Sequence, residues 1–250
     1  MSAALRTTGL CKSFGAFKAN SDVSLSFAAG ARHALIGPNG AGKTTFINLL
    51  TGVLAPTAGD VYLGEQKVTT LPQHTRAKLG MTRTFQINTL FPGLTALESV
   101  VLARCEHSGR GAVWWRTAAA ERTAIDEARE ILARLKLDRD AGTLTRALPY
   151  GKQRLLEIAL ALATRPKVLL LDEPAAGIPS AESAELFAVI AGLPRDVTIV
   201  FIEHDMNLVF KFAERITVLV GGAVLVEGTP DQIAGDPRVR EVYLGEAQHA

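Results

Sequence analysis

Cysteine is almost missing: Cys11 and Cys105 are the only two in 250 residues. Two distant thiols cannot build a disulfide framework and lack the spacing of metal ligands, so a stapled secreted scaffold and a thiolate zinc site drop out, and a reduced, cytosolic setting fits best. Long hydrophobic runs are missing as well. The longest, such as Val168 to Leu171 and Ile158 to Ala163, fall far short of the ~18–20 residues that span a bilayer. The first residues, Met1-Ser2-Ala3-Ala4-Leu5-Arg6, have no apolar signal-peptide core. A role at a membrane would need other chains to hold the protein there. Nor does one charge dominate: 27 Lys and Arg stand against 25 Asp and Glu, a net +2, which argues against a broad nucleic-acid surface. Internal repeats, low-complexity tracts and flexible linkers are absent too. What remains is a chain long enough to bury roughly 70–75% of its unfolded surface, as one large domain or a core plus a lobe.

The stretch that is most informative is Gly37-Pro38-Asn39-Gly40-Ala41-Gly42-Lys43-Thr44-Thr45, between the apolar Ala34-Leu35-Ile36 and the helix-like Phe46-Ile47-Asn48-Leu49-Leu50. It meets the pattern G-x-x-x-x-G-K-[ST] at Gly37, Gly42, Lys43 and Thr44, in the strand-loop-helix setting of a nucleotide phosphate cradle. Glycines let successive backbone N–H groups converge on an anion, and the helix that follows adds its positive end. Lys43 is then expected at the β- and γ-phosphates and the Thr44 hydroxyl at Mg²⁺.

Before this loop, Leu5 to Leu10, Val23 to Phe27 and Arg32 to Ile36 read as short strands, the second alternating apolar and serine positions as a half-buried antiparallel strand does. Phe14 precedes that second stretch and is either a core aromatic or an adenine-stacking one. After the loop, Thr57 to Asp60 reads as a turn into the strand Val61 to Leu63, and Gly80 to Phe85 as a strand ending at Gln86. From there to about residue 148 the pattern is helical. Thr95-Ala96-Leu97-Glu98 is a capping box opening a helix to about Ala103, and Ala118 to Leu135 is a second, amphipathic helix. Bracketed by strands, this block reads as an inserted helical lobe. Trp114-Trp115 falls in its loop, where packing against the lobe is the simpler role and contact with a partner or with membrane headgroups the alternative.

Pro149 to Thr164 reads as a helix with Lys152, Gln153 and Arg154 in its first turn. Cations are unfavourable at a helix start, so this is either an exposed basic turn or a positive tip open to an anion. Val168 to Leu171 is a continuous apolar run ending in Asp172-Glu173, as expected of a central parallel strand whose C-terminal end faces the ligand crevice. Asp172 could also serve as a plain helix cap. A helix from Ser180 to Ala191 and a strand from Thr198 to Ile202 follow, the latter leading into Glu203-His204-Asp205, so that His204 leaves the sheet on the same edge as the two acids. Alone, such a histidine is an ordinary loop residue. His33, His74, His107 and His249 have no comparable setting. Ile216 to Val220 and Ala223 to Val226 read as strands joined by Gly221-Gly222, with two short helices up to Leu244.

Together the phosphate loop, Gln86, Leu148-Pro149-Tyr150-Gly151-Lys152-Gln153, Asp172-Glu173 and His204 resemble, in order and spacing, an ABC-type ATPase over essentially the whole chain. Arg83-Thr84-Phe85-Gln86, Glu157-Ile158-Ala159, Asp172 to Gly177, Glu203-His204-Asp205-Met206 and Val242-Tyr243-Leu244-Gly245-Glu246 are similar to the ATP-binding subunits of branched-chain (hydrophobic) amino acid importers. Lipopolysaccharide-export ATPases share the ending but match the Gln86 and His204 phrases less well. The resemblance implies an α/β fold, a P-loop core with a mostly parallel sheet, an antiparallel β subdomain and a helical lobe. It is expected as one ABC ATPase domain over 1–250, with the core at 1–86 and 150–250 and the lobe at about 87–149.

The resemblance also implies roles. Phe14 stacks on adenine, and residues Gly37 to Thr45 hold the phosphates of ATP. Thr44, Gln86 and Asp172 serve Mg²⁺, Glu173 polarises the attacking water, and Gln86 and His204 sense the γ-phosphate. Tyr150 and Gly151 cover the ATP of an opposite cassette. Implied partners are a second ATPase subunit, permeases and, indirectly, a periplasmic solute-binding protein, with the chain cytoplasmic and peripheral on the inner face of the membrane. A soluble ABC ATPase acting on nucleic acid or ribosomes is the alternative, disfavoured by the near-neutral charge and single cassette. A small-molecule phosphotransferase would leave the Tyr150-Gly151 segment and His204 without purpose. Two residues depart from the family pattern: Pro149 stands where a serine hydroxyl is usual and Pro179 where many relatives have Asp. Both lie on the surface expected to meet a partner, so a different chain is the expected supplier of the opposite signature.

Overall fold

The computed structural model describes residues 3–84, 90–107 and 118–246. The chain divides into two units, one of residues 1–81, 167–174 and 194–250, the other of 82–166 and 175–193.

In the first unit, β1 (Ala3–Phe14), β2 (Phe17–Val23) and β3 (Ser26–Ala28) come first, followed by β4 (Arg32–Ile36), α1 (Lys43–Thr51), β5 (Ala58–Leu63), β6 (Gln66–Lys67) and α2 (Gln73–Lys78). The edge strand β7 (Met81–Arg83) carries the chain into the second unit, which holds α3 (Ala96–His107), α4 (Ala118–Arg134), α5 (Tyr150–Ala163) and, after the chain has returned once through the first unit, α6 (Ser180–Ala191). The visit between α5 and α6 forms β8 (Val168–Asp172). The first unit then closes with β9 (Thr198–Ile202), α7 (Met206–Phe212), β10 (Arg215–Val220), β11 (Ala223–Gly228), α8 (Pro230–Gly235) and α9 (Pro237–Glu246).

Two sheets result. An antiparallel one runs β2-β1-β5-β6 with β3 also on β1, and a mostly parallel one runs β11-β10-β4-β9-β8-β7. Strands β10, β4, β9 and β8 are mutually parallel, and only β11 is known to reverse among the registered pairs. Their residues explain this: β4 and β9 are buried at every position and β8 at all but Asp172, as strands covered on both faces must be. One core joins Leu5, Phe27, Leu35, Phe46, Ile47, Leu50, Val61, Leu170 and Val200, so the helix after the phosphate loop is packed between the sheets' apolar faces. Each fully buried Leu, Ile or Phe there contributes about 1.5–3 kcal/mol of transfer free energy.

Two strand expectations change. Val23 to Phe27 is not one strand, because Asp22 takes a left-handed φ of 53° and Ser24 Oγ accepts from the Gly9 N–H at 2.8 Å. That bend splits the stretch into the end of β2 and the start of β3, both paired with β1. The sequence also reads a turn at Thr57 to Asp60, yet β5 starts at Ala58, drawn into register with β1 through Cys11↔Ala58 and Thr8↔Asp60.

In the second unit the capping box at Thr95 is formed in both directions: Thr95 N–H donates to Glu98 Oε2 at 2.8 Å and Glu98 N–H to Thr95 Oγ1 at 3.2 Å. In this unit α5 and α6 group with α3 and α4. The basic start of α5 is not an open cationic tip. Lys152 Nζ donates to both Asp140 carboxylate oxygens, at 2.9 and 2.7 Å, and the buried Arg154 pairs with Glu157 at 3.0 Å.

His33 in β4 is a core residue, 1% exposed, with its ring edge-on to Phe27 at 4.7 Å and Nε2 2.7 Å from Thr217 Oγ1. Burial, and then the charge of Arg215, lower its pKa from 6.5 to about 3. A folded pKa below the unfolded one gives stability that is complete above 6.5 and lost as the pH falls from there toward 3, at about 1.4 kcal/mol per pH unit. Chemical denaturation at pH 7 and pH 5 is therefore expected to show an acid loss smaller by about 2 kcal/mol in His33→Leu than in wild type. Equal losses in the two proteins would refute this assignment.

Candidate active site

Strands β4, β8 and β9 lie side by side and parallel, so Ile36, Asp172 and Ile202 end on one edge of the sheet. Chain leaving that edge forms the site. From Ile36 it turns through Gly37 to Gly42 and enters α1 at Lys43. The two glycines fixed by the motif have a packing reason. A Cβ on Gly37 would lie 2.1 Å from the Leu219 carbonyl oxygen and one on Gly42 2.3 Å from that of Ala19, and both residues have positive φ, 152° and 93°. The first turn of α1 has no acidic residue and Gly42 no side-chain cap, which leaves N–H groups and the positive helix end for an anion. Lys43, 7% exposed, folds over the loop and donates to the Gly37 and Pro38 carbonyls at 2.6 and 2.9 Å.

Across the edge, Glu173 follows Asp172 and His204 follows Glu203. His204 Nε2–H donates to Glu173 Oε1 at 2.9 Å. Glu173 takes the left-handed φ of 48°, which costs a non-glycine residue about 1–3 kcal/mol. Its N–H donates to the Ile202 carbonyl at 3.1 Å, tying the strained turn to β9. His204 is steadied by its own N–H donating to Glu203 Oε2 at 3.1 Å, while Asp205 accepts from the Asn207 N–H and caps α7. A cavity of about 250 Å³ is lined by Phe17, Ala19, Asn39 to Thr45, Glu173 and His204. An anion cradle, a carboxylate and an imidazole thus face one space.

The sequence places Asp172 beside Glu173, and it ends β8 opposite Ile202, though the cavity lining begins at Glu173. Gln86 and Trp114-Trp115 fall outside the described residues. Tyr150 and Gly151 begin α5 in the second unit. The Tyr150 hydroxyl donates to the Ala176 carbonyl and accepts from Arg154, both at 3.2 Å. Pro149 and Pro179 occupy the N-cap positions of α5 and α6, neither with a side-chain cap.

Phe14 and Phe17 face each other across the β1–β2 hairpin. Phe17, 63% exposed, is the one that lines the cavity, whereas the Phe14 ring carries the Lys12 ammonium 5.1 Å from its centre. Sequence reasoning passed over Phe17 because β2 shows no clean alternation. The signal available was a second aromatic three residues on, across a Gly15-Ala16 turn.

For a metal, the candidate donors are hard oxygens, the Thr44 hydroxyl that lines the cavity and the Asp172 carboxylate at the end of β8. Among the described residues no group of three or more His, Cys, Asp or Glu could hold an ion alone. Hard oxygen donors of this kind suit Mg²⁺, which takes one or two protein oxygens and fills its shell with phosphate oxygens and water.

Comparison with known proteins agrees with this geometry. The ABC transporter family model matches residues 20–176, and that of the branched-chain amino acid ATP-binding cassette transporter C-terminus matches 223–249. The high-affinity branched-chain amino acid transport ATP-binding protein BraF of Pseudomonas aeruginosa is 42% identical, across 97% of this chain and 98% of its own length. LivG of Escherichia coli, a protein of the same description, is 41% identical over 97% and 98%. Among solved structures, an ABC transporter ATP-binding cassette in its ADP conformation superposes with a TM-score of 0.84 at 30% identity, covering 98% of this chain and 99% of that one. A dimeric bacterial ABC transporter cassette gives 0.74 at 27%, over 90% and 98%. This chain belongs to the ATP-binding cassettes of ABC transporters, within the branched-chain amino acid transport group.

Proposed function

We propose that this chain binds ATP·Mg²⁺ in the cavity at Gly37 to Thr45 and hydrolyses it to drive permeases that import branched-chain or related amino acids. The single observation that carries the reading is the cavity itself, in which residues 39 to 45 of the phosphate loop, Glu173 and His204 face the same space.

Loop N–H groups and the α1 end would hold the phosphates, and Lys43 would exchange its loop carbonyls for phosphate oxygens. Phe17 or Phe14 would stack on the adenine. Glu173 would take the proton of the attacking water, with His204 donating to that carboxylate in the structure and to the γ-phosphate once ATP is present. Thr44 and Asp172, with Gln86, would hold Mg²⁺, which neutralises phosphate charge in the transition state. Tyr150-Gly151 would cover ATP held by an opposite cassette. A cassette dimer is a known assembly of a related structure. Pro149, with neither hydroxyl nor N–H to offer a phosphate, favours a different chain as the partner.

Affinity purification of the tagged chain from detergent-solubilised membranes tests this. It should bring down a multi-spanning protein and a second, different cassette. Recovery as a homodimer alone, with high ATPase activity, would overturn the partner assignment.

A further inference from the structure

Asn20, in β2, is 1% exposed, and its two amide atoms have opposite fates. Nδ2 donates to the Gly42 carbonyl at 3.3 Å, while Oδ1 is buried with no hydrogen-bond partner among the described residues. The acceptor fixes which way the amide faces, since the flipped form would set two oxygens together. A buried polar atom left unmatched is destabilising, and an apolar side chain of the same size would avoid it. An asparagine that only filled space here would be a poor choice.

The carbonyl it grips belongs to the phosphate loop. Gly42 O also accepts from the Phe46 N–H at 2.8 Å, and the preceding Ala41 O accepts from the Gly222 N–H at 3.1 Å. Because a trans peptide is planar, its N–H points opposite to its carbonyl. Donors on the Ala41 and Gly42 oxygens therefore turn the Gly42 and Lys43 N–H groups the other way, into the cradle. β2 also brings Phe17 to the cavity, so the strand that helps line the cavity is the one that holds the loop. The Ser21 N–H donates to the Gly222 carbonyl at 2.9 Å, which fastens β2 to the second of these donors as well.

We infer that Asn20 is a positioning residue for nucleotide phosphate: its amide orients the Gly42–Lys43 peptide so that the Lys43 N–H meets the anion. This rests on the ATP-site reading above. The test compares Asn20→Leu and Asn20→Ala with wild type in the whole chain, by calorimetric titration of MgATP and by thermal melting without nucleotide. Loss of one such hydrogen bond is expected to weaken MgATP binding about three- to tenfold in both variants. Asn20→Leu should melt at or above the wild-type temperature, because it removes the unmatched oxygen. A merely structural asparagine would instead lower the melting temperature of Asn20→Leu. Binding within about twofold of wild type in both folded variants would overturn the inference. If wild type itself fails to bind MgATP, it is the ATP-site reading that falls.

Discussion

Glu173→Gln is expected to keep MgATP binding and to lose turnover by about 10²–10⁴-fold, the usual contribution of a general base. The substitution preserves shape, so the left-handed turn at φ 48° and the Glu173 N–H bond to the Ile202 carbonyl remain. It removes only the carboxylate that accepts from His204 Nε2–H and would accept the water proton. The groups proposed to hold the phosphates lie elsewhere, among residues 39 to 45 that line the cavity, so ground-state affinity is expected to hold. Chemistry, measured as phosphate release in a single turnover, should slow by that factor. Near-normal hydrolysis would mean that Glu173 is not the base.

The largest effect on stability is expected at Arg76, a residue that takes no part in the chemistry. It is 1% exposed and among the described residues its guanidinium donates to backbone: Nε to Leu71 O at 2.9 Å, one terminal nitrogen to Leu49 O and Leu50 O at 2.7 and 2.6 Å, the other to Thr69 O at 2.6 Å. Leu49 and Leu50 lie in the last turn of α1, where orphan carbonyls and the negative helix end favour a cation. Burial lowers the Arg76 pKa, but the carbonyl cage keeps a forked donor in place. Arg76→Met leaves these oxygens without it and should lower unfolding free energy by about 3–4 kcal/mol in a denaturant titration. Arg76→Lys should recover only part of that, since an ammonium cannot span four carbonyls in one plane. A loss under about 1 kcal/mol for Arg76→Met would refute the role.

These two residues show what the sequence could and could not carry. Glu173 was legible because its signal is local: an apolar run, two acids, and a phosphate motif elsewhere to give them meaning. The same holds for α6, found at Ser180–Ala191 as the sequence placed it, and for β9 at Thr198–Ile202. The P-loop core with its mostly parallel sheet and separate antiparallel sheet is also as expected. Arg76 was illegible because it sits in a six-residue helix and reads as an ordinary surface cation. Its acceptors at Leu49 and Leu50 lie 27 and 26 residues upstream. Asn20 and Phe17 were missed for a related reason, since β2 is polar and irregular and acquires its importance only by running beside the phosphate loop. For the basic turn of α5 the sequence leaves two readings open: Glu157, three residues after Arg154, is a partner that helical spacing offers, whereas Asp140 cannot be assigned to Lys152 without the fold.

The claim that Gly37 to Thr45, Glu173 and His204 form one working ATP site is tested most directly on the assembled transporter, with steady-state phosphate release from MgATP measured when Glu173→Gln is placed in this chain alone. The expected result is loss of most of the solute-stimulated rate with nucleotide still bound. An unchanged rate would contradict it, because the cavity described here would then bind nucleotide without hydrolysing it.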